Sequence, residues 1–150
     1  MARTLIELYI HIVFSTQNRL NLVHPEIEAE LYRYVPGTVA NLDSRCLAVN
    51  GTQNHIHLLV SPGKTIALSN LVREIKKGST SWLKREGGVR RGFHWQDGYG
   101  GFSVGRSGLP TVRNYIASQK EHHRRASYEE EFIALLEESG ITYDERYLWD

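Results

Sequence analysis

Apolar and polar positions along the chain follow two periods, one typical of strands and one typical of helices. In the first segment Ile10, Ile12 and Phe14 fall on one face and His11 and Val13 on the other, which is the alternation of a half-buried strand. Three shorter segments have a similar β-rich composition, and an Asn-Gly pair closes the second segment as a hairpin turn would. The strands are predicted at 4–16, 45–51, 55–60 and 101–104.

Helical spacing recurs in four other segments. The second of them carries an apolar stripe with i, i+3 and i+4 spacing, and the paired glycines at 87–88 would end the helix. The last segment begins with Ser127 and Glu130 at the spacing of a capping box and ends at a glycine. The helices are predicted at 24–35, 65–88, 109–125 and 127–140.

The order of these elements is β-α-β-β-α-β followed by two helices. The first six elements match the split βαβ plan, so we expect an α+β, ferredoxin-like or RRM-like antiparallel sheet with additional C-terminal helices. That plan packs helices on one face of the sheet and leaves the other free, and many nucleic-acid binders use the free face. The length of 150 residues favours a single domain spanning 1–150.

The composition narrows the cellular compartment and the classes of catalytic site that the chain can form. Cys46 is the only cysteine, which excludes an intrachain disulfide and a multi-cysteine zinc site and favours the reducing cytoplasm. No apolar stretch approaches the roughly 20 residues needed to span a bilayer, so we expect no membrane partner. The metalloprotease motif H-E-x-x-H and the phosphate-binding P-loop motif are both missing.

Charge is unevenly distributed although the net charge is only +1. Between 71 and 125 there are twelve basic and four acidic residues, whereas 126–150 holds eight acidic residues and one arginine. A basic central segment followed by an acidic C-terminal segment is typical of a protein that binds a polyanion through one surface. Solvated helix faces give the same pattern. The candidate contacts on the second predicted helix are Arg73, Lys76, Lys77, Lys84 and Arg85.

Two histidines lie one residue apart at the start of the third predicted strand. Residues i and i+2 of a strand point to the same side, so His55 and His57 share one face while Ile56 and Leu58 point to the core. Their Cα atoms would be about 6 to 7 Å apart, which lets both imidazoles reach one metal ion. A third ligand has to come from elsewhere, and a pair of surface histidines would have the same spacing.

A second polar group lies on the third predicted helix. Tyr115 and Gln119 are four residues apart and are therefore neighbours on one helix face. His122 and His123 lie within reach of the same stripe, whereas apolar residues such as Ile116 lie on a different side. An isolated helical tyrosine usually belongs to the core, but this one lies among polar groups, which favours a chemical role.

These motifs together resemble the single-tyrosine HUH transposases of small bacterial insertion sequences (the insertion sequence 200-like family) and the related REP-associated tyrosine transposases. HUH denotes two histidines flanking a bulky apolar residue, here Ile56. The resemblance runs nearly from end to end. It is carried by HIVFSTQNR (11–19), GTQNHIHLLVS (51–61), LVREIKKGSTSWL (71–83), FHWQDGYGGFSV (93–104) and VRNYIASQKEHHRR (112–125).

The resemblance implies a metal-dependent enzyme that acts on single-stranded DNA with hairpin structure. His55 and His57 would bind Mg²⁺ or Mn²⁺ with Gln119 as the third ligand, and the ion would polarise a scissile phosphate. Tyr115 would attack that phosphate, giving a 5′-phosphotyrosine and a free 3′-hydroxyl. The basic residues of the second helix would then contact DNA.

The resemblance leaves several details open. His122 or His123 can replace or supplement the neutral Gln119, Lys120 can assist the phenol, and His11 can point to the same sheet face. Family members act as homodimers, and in several of them the tyrosine helix packs against the HUH pair of the other subunit. Some members are domesticated and no longer mobilise their own gene.

Two other functions fit part of the pattern. A non-catalytic, RRM-like nucleic-acid-binding module would use the basic helices and stack bases on aromatic side chains such as Trp95, Tyr99 and Phe102. A zinc hydrolase would use His94 together with the HUH pair. Cleavage that depends on Tyr115 separates the transposase from both alternatives.

Overall fold

The computed structural model of the chain describes residues 3–88 and 92–149. Short 3₁₀ turns precede α1, precede α3 and follow α5. The strands are β1 (Ile10–Ser15), β2 (Arg45–Gly51), β3 (His55–Ser61) and β4 (Gly100–Ser103). The helices are α1 (Pro25–Asn41), α2 (Leu68–Arg85), α3 (Leu109–Ala117), α4 (Gln119–His122) and α5 (Tyr128–Glu138).

The strands form one antiparallel sheet in the order β2-β3-β1-β4. This arrangement confirms the predicted α+β, ferredoxin-like plan with additional C-terminal helices. Val13 pairs with His57 and His11 with Leu59 in the two central strands. These four residues therefore lie on the same side of the sheet, which we call the second face.

The first face of the sheet carries the main hydrophobic core. Ile12, Phe14, Ile56, Leu58 and Val60 point to this face and are almost fully buried. The helices α1 and α2 cover them, as the predicted apolar stripes require. The core residues that these helices contribute are Leu31, Val35, Val39, Leu71, Val72, Ile75, Trp82 and Leu83.

The second face is covered as well, which the simple ferredoxin-like plan does not predict. The helix α3 packs on β2 and β3, and α5 places Tyr128, Phe132 and Leu136 against Val13 and Phe102. This smaller apolar cluster holds the C-terminal helices over the sheet. The histidines of the second face are buried beneath them rather than exposed for base stacking.

Three predicted boundaries differ from the structure for identifiable reasons. The first strand begins at Ile10 rather than at residue 4, because β3 and β4 pair only with residues from Ile10 onwards, and Leu5 remains 87% exposed. The first helix continues through Pro36 to Asn41, since it buries Val39. The helix predicted at 109–125 is interrupted at Ser118, which separates α3 from α4. None of the helices in the described part of the chain is long and apolar enough to cross a membrane.

Candidate active site

A carboxylate, Glu131 of α5, lies at the centre of a group of histidines on the second face. Its Oε1 atom lies 3.0 Å from Nε2 of His57, 3.0 Å from Nε2 of His123 and 3.3 Å from Nε2 of His55. The side chain of Glu131 is only 1% exposed. One ligand atom from each of the four residues lies within 4.8 Å of the others, and we call this group the histidine–glutamate cluster.

The local structure of α5 explains why a charged residue reaches this buried position. Ser127 and Glu130 form the predicted capping box, which fixes the start of the helix. Tyr128 and Phe132 lie near Glu131 on the helix surface, and both are buried against the sheet. The apolar stripe of α5 therefore carries Glu131 onto the second face.

Tyr115 of α3 lies beside the cluster in the same chain. Its hydroxyl group donates a hydrogen bond to Oε2 of Glu131. The Tyr115 ring is centred 5.7 Å from the ring of His57 and 5.9 Å from the ring of His11. The phenol predicted as the nucleophile and the HUH pair are therefore brought together within one protomer.

Gln119, at the start of α4, is fully buried within the same network. Its Oε1 atom lies 3.1 Å from Nε2 of His55 and 3.1 Å from Nε2 of His123. Its amide nitrogen donates a hydrogen bond of 3.1 Å to Oε2 of Glu131. Gln119 thus connects three members of the histidine–glutamate cluster and presents an oxygen atom where two imidazoles converge.

The hydrogen bonds on the far side of two imidazoles determine which nitrogen carries the proton. Nδ1 of His55 lies 2.8 Å from Oδ1 of Asn54, and Nδ1 of His123 lies 2.8 Å from the carbonyl oxygen of Ala126. Because these two oxygen atoms can only accept hydrogen bonds, each Nδ1 atom must carry a proton and donate it. In a neutral ring the Nε2 atom then carries a lone pair. Both lone pairs face the carboxylate of Glu131. A set of acceptors that converges on one point suits a bound cation, and such outer hydrogen bonds are usual for histidines that bind metals.

Two further histidines border the cluster. Nε2 of His11 lies 2.8 Å from Nδ1 of His57, so His57 is held between His11 and Glu131. Nε2 of His122 is buried without a hydrogen-bond partner among the described residues and lies 3.6 Å from Oε2 of Glu131. This unpaired atom adds another nitrogen that faces the carboxylate, which fits a cation at the cluster.

Burial keeps two of the imidazoles neutral. Desolvation lowers the pKa of His57 to about 4, although the hydrogen bond with Glu131 acts in the opposite direction. Desolvation and the neighbouring His57 lower the pKa of His11 to about 3. Neutral imidazoles are the form that binds metal ions.

Glu131 itself is held as an anion. Burial acts to raise its pKa, but the surrounding imidazoles of His123, His55 and His57, which donate to Glu131 when they carry a proton on Nε2, outweigh burial and hold the pKa far below its usual range. Burial acts to lower the pKa of His123, and the bond to Glu131 raises it on balance. Burial and the carboxylate of Glu131 raise the pKa of Tyr115, so the phenol keeps its proton until positive charge enters the site.

Most of the sequence-predicted site residues meet at this centre, and Lys120 does not. The amino group of Lys120 lies 2.7 Å from Oε2 of Glu28 in α1. His94, which the zinc-hydrolase alternative requires, is exposed and lies outside the cluster. The predicted residues that converge are His11, His55, His57, Tyr115, Gln119, His122 and His123.

The basic residues predicted to bind DNA lie on α2, across the sheet from the histidine–glutamate cluster. Nζ of Lys76 donates hydrogen bonds to the carbonyl oxygens of Gln96 and Gly98 at 2.6 and 2.8 Å, so this side chain ties α2 to the segment before β4. The other four predicted basic residues, Arg73, Lys77, Lys84 and Arg85, are exposed.

Glu131 is a candidate functional residue that the sequence patterns did not identify. The available signal was its position in α5, since Glu131 falls beside the buried Tyr128 and Phe132 in an otherwise apolar stripe. An acid at such a position has to find a partner inside the protein. Its partner His57 lies 74 residues away in sequence, and local spacing carries no information on that contact.

Comparisons with known proteins identify a family with a similar sequence and solved structures with a similar fold. A family model described as IS200-like transposase matches residues 4–119. A candidate transposase from Deinococcus radiodurans R1 has a similar fold, with a TM-score of 0.63 and 17% identity over 79% of this chain and 96% of the other. A REP-associated tyrosine transposase bound to a REP hairpin gives a TM-score of 0.61 and 16% identity over 82% of this chain and 73% of the other. The sequence has no significant match among curated proteins.

The family match covers most of the chain, including the HUH pair, Tyr115 and Gln119, and it ends before His123 and Glu131. At such low identity the two solved structures support the fold alone, and the family assignment depends on the sequence match. The chain therefore belongs to the family of IS200-like transposases.

Proposed function

We propose that this transposase cuts and rejoins single-stranded DNA through a covalent intermediate on Tyr115, beside a divalent metal ion. The observation that supports this proposal is the hydrogen bond from the Tyr115 hydroxyl to Glu131, whose other oxygen contacts the HUH histidines. A nucleophile and a metal-ligand set thus share one carboxylate. This combination is suited to phosphoryl transfer.

The histidine–glutamate cluster would hold the ion, with the oxygen of Gln119 as a further ligand. Three imidazole nitrogens and one carboxylate form a suitable donor set, and the buried, unpaired Nε2 of His122 lies next to them. Of the two ions that the family resemblance implies, Mn²⁺ fits better, because Mg²⁺ prefers oxygen ligands and retains its water molecules. When bound, the ion supplies positive charge that polarises the scissile phosphate.

The protein residues have separate roles in the transfer. Tyr115 attacks the phosphorus atom, so that the bond from phosphorus to O3′ breaks while a bond to the phenolic oxygen forms. Glu131 orients the phenol through the existing hydrogen bond, the phenolic proton passes to solvent as the new bond forms, and the O3′ oxygen takes up a proton from solvent to become a 3′-hydroxyl. Gln119 contacts both His55 and Glu131 and holds their side chains in position. Attack by a 3′-hydroxyl on the phosphotyrosine reverses these steps and joins strands without ATP.

The nucleic-acid partner that we propose is single-stranded DNA with hairpin structure. The solved relative bound to a REP hairpin supports this choice by analogy. We also propose a homodimer, as the family resemblance implies. Since Tyr115 contacts Glu131 within one chain, the chemistry does not require the second protomer to supply the tyrosine. Light scattering coupled to gel filtration measures the oligomeric state directly.

A labelling experiment tests the proposed nucleophile. Hairpin oligonucleotides with a labelled strand are incubated with the protein and Mn²⁺, and the products are separated on a denaturing gel. We expect a covalent protein–DNA band that Tyr115→Phe abolishes, since the variant lacks the attacking oxygen but retains the ring. DNA binding by the variant should persist.

The matched control is Tyr147→Phe, because Tyr147 is 68% exposed and lies outside the site. This control should form the covalent band at the wild-type level. A full band from Tyr115→Phe would remove Tyr115 as the nucleophile. Binding without any band from the wild-type protein would favour the non-catalytic module instead.

A further inference from the structure

A basic cleft of about 660 Å³ lies on the second face, where the first turns of α3 pass over the starts of β1 and β2. Its basic residues come from three separate parts of the chain: Arg45 from β2, Arg106 from the turn before α3, and Arg113 from α3. Tyr9, Leu47 and Asn114 are among the other residues that line it.

The charge of the cleft suits an anion with several phosphate groups. No acidic side chain lines it in the described part of the chain. Arg106 lies 3.1 Å from Glu7 at the rim, whereas Arg45 and Arg113 form no ion pair with any described residue. Guanidinium groups bind phosphates through paired hydrogen bonds, and two of the three are available for that role.

Two residues that line the cleft are close in the chain to residues of the candidate active site. Tyr9 immediately precedes β1 and comes two residues before His11, so their Cα atoms are about 7 Å apart where the chain is extended. The ring of His11 lies 5.9 Å from that of Tyr115 and stacks on His57. Asn114, which lines the cleft, immediately precedes Tyr115 in α3. A strand that lies in the cleft therefore leads towards the phenol.

The size and lining of the cleft favour an unpaired strand. Its volume is that of a small-molecule pocket, which admits a short stretch of one strand. The ring of Tyr9 and the side chain of Leu47 offer apolar surface to a base beside the guanidinium groups. Proteins that bind single strands combine basic and aromatic groups in this way.

We propose that this cleft binds the backbone of single-stranded DNA next to the phosphate that Tyr115 attacks, with Arg45 and Arg113 each neutralising one phosphate. The inference rests on the proposed function, because it names the surface that delivers the substrate to that site. It differs from the sequence prediction, which assigns DNA contacts to α2 on the other side of the sheet.

The salt dependence of binding tests the cleft without any cleavage. Fluorescence anisotropy measures the affinity of the full-length protein for labelled oligo(dT) of about 20 nucleotides in the presence of a chelator. Arg45→Ala and Arg113→Ala should each weaken binding about fivefold and reduce the slope of log K against log salt by about 0.7, as expected for one lost phosphate contact. The Arg→Lys variants should keep the wild-type slope.

The control is Arg33→Ala, since Arg33 is exposed on α1 on the other side of the sheet, and its slope should equal that of the wild type. Wild-type slopes in Arg45→Ala and Arg113→Ala would overturn the proposal. The proposal would also be overturned, in favour of α2, if the salt slope decreased in Arg73→Ala and Arg85→Ala but not in the cleft variants. Cleft-dependent binding of oligo(U) without binding of oligo(dT) would replace DNA by RNA as the ligand and would overturn it too.

The covalent-band assay separates this inference from the proposed function. Cleft-dependent binding by a wild-type protein that forms no covalent band would support the cleft and remove the proposed chemistry. A covalent band that forms equally well in wild type and in Arg45→Ala/Arg113→Ala, at DNA concentrations below saturation, would overturn the cleft and leave the chemistry intact.

Discussion

The two faces of the sheet use alternate residues of the same strands for opposite purposes. On the first face Ile56 and Leu58 of β3 are buried among aliphatic and aromatic side chains. On the second face His55 and His57 of the same strand are buried as deeply, but among nitrogen and oxygen atoms. Equal burial therefore has different consequences. The chemistry of the buried groups decides which face stabilises the fold and which one is suited to the proposed reaction.

The free energies of burial also differ between the two faces. Burying a large aliphatic side chain stabilises a fold by about 1.5–3 kcal/mol, so the first face accounts for much of the stability. A buried polar group that loses its partner costs about 1–3 kcal/mol, and the second face avoids this cost only through its connected network. Such a network is the usual setting for strongly shifted pKa values at functional sites.

The largest expected effect is on the first face. Leu58→Ala should lower the free energy of unfolding by about 2–5 kcal/mol, because it leaves a cavity in the main core. The covalent band formed per folded molecule should not change. Urea unfolding and the denaturing gel measure these two quantities. Leu5→Ala is the control, since Leu5 is exposed and its loss should leave stability unchanged. Loss of the band in folded Leu58→Ala protein would show that the two faces are not separable.

The next effect is on the second face and concerns activity. Glu131→Gln keeps the shape of the side chain but removes the charge that the histidines surround, so Mn²⁺ affinity and the rate of covalent-band formation should fall by about 10- to 100-fold. Calorimetric titration and single-turnover gels measure the two losses. Glu137→Gln, an exposed change on the same helix, is the matched control. Wild-type Mn²⁺ affinity in Glu131→Gln would exclude this carboxylate as a ligand.

A comparable effect should follow the addition of metal. Because the cluster converges only in the folded protein, Mn²⁺ at about one hundred times its dissociation constant should stabilise the fold by about 2.7 kcal/mol. Urea unfolding with and without Mn²⁺ measures the difference, and a His55→Ala/His57→Ala variant should lose it. Equal stabilisation of that variant would place the ion elsewhere.

The last effect is the pH dependence of the metal-free protein, in which opposing shifts partly cancel. The folded-state pKa of His57 is about 4 and that of His11 about 3, both below the ordinary value of 6.5. The unfolded chain therefore binds protons below pH 6.5 that the folded chain does not, so stability should fall as the pH decreases from 6.5 to 5. The raised pKa of His123 acts in the opposite direction and reduces the fall. Urea unfolding at several pH values measures it.

His11→Phe should make this fall shallower because it removes one buried imidazole, whereas His94→Gln, an exposed change, should leave it as in the wild type. If the free energy of unfolding decreased by the same amount in both variants, the pH dependence would come from groups outside the second face.

Much of the candidate site was predictable from spacing. The H-x-H pattern placed His55 and His57 on one face of a strand, and the i, i+4 spacing of Tyr115 and Gln119 made them neighbours. Both pairs do lie side by side in the network around Glu131. The DNA contacts assigned to α2 remain a prediction, which the salt-dependence experiment compares directly with the cleft.

The sequence by itself determined the order of strands and helices, the antiparallel plan and the face on which each strand residue lies, because periods of 2 and 3.6 are local properties of the backbone. Only the tertiary structure decided that α3, α4 and α5 cover the second face, that the helix breaks at Ser118, and that Glu131 meets the HUH pair. These features depend on contacts between residues far apart in sequence, and the packing of whole helices against the sheet selects them.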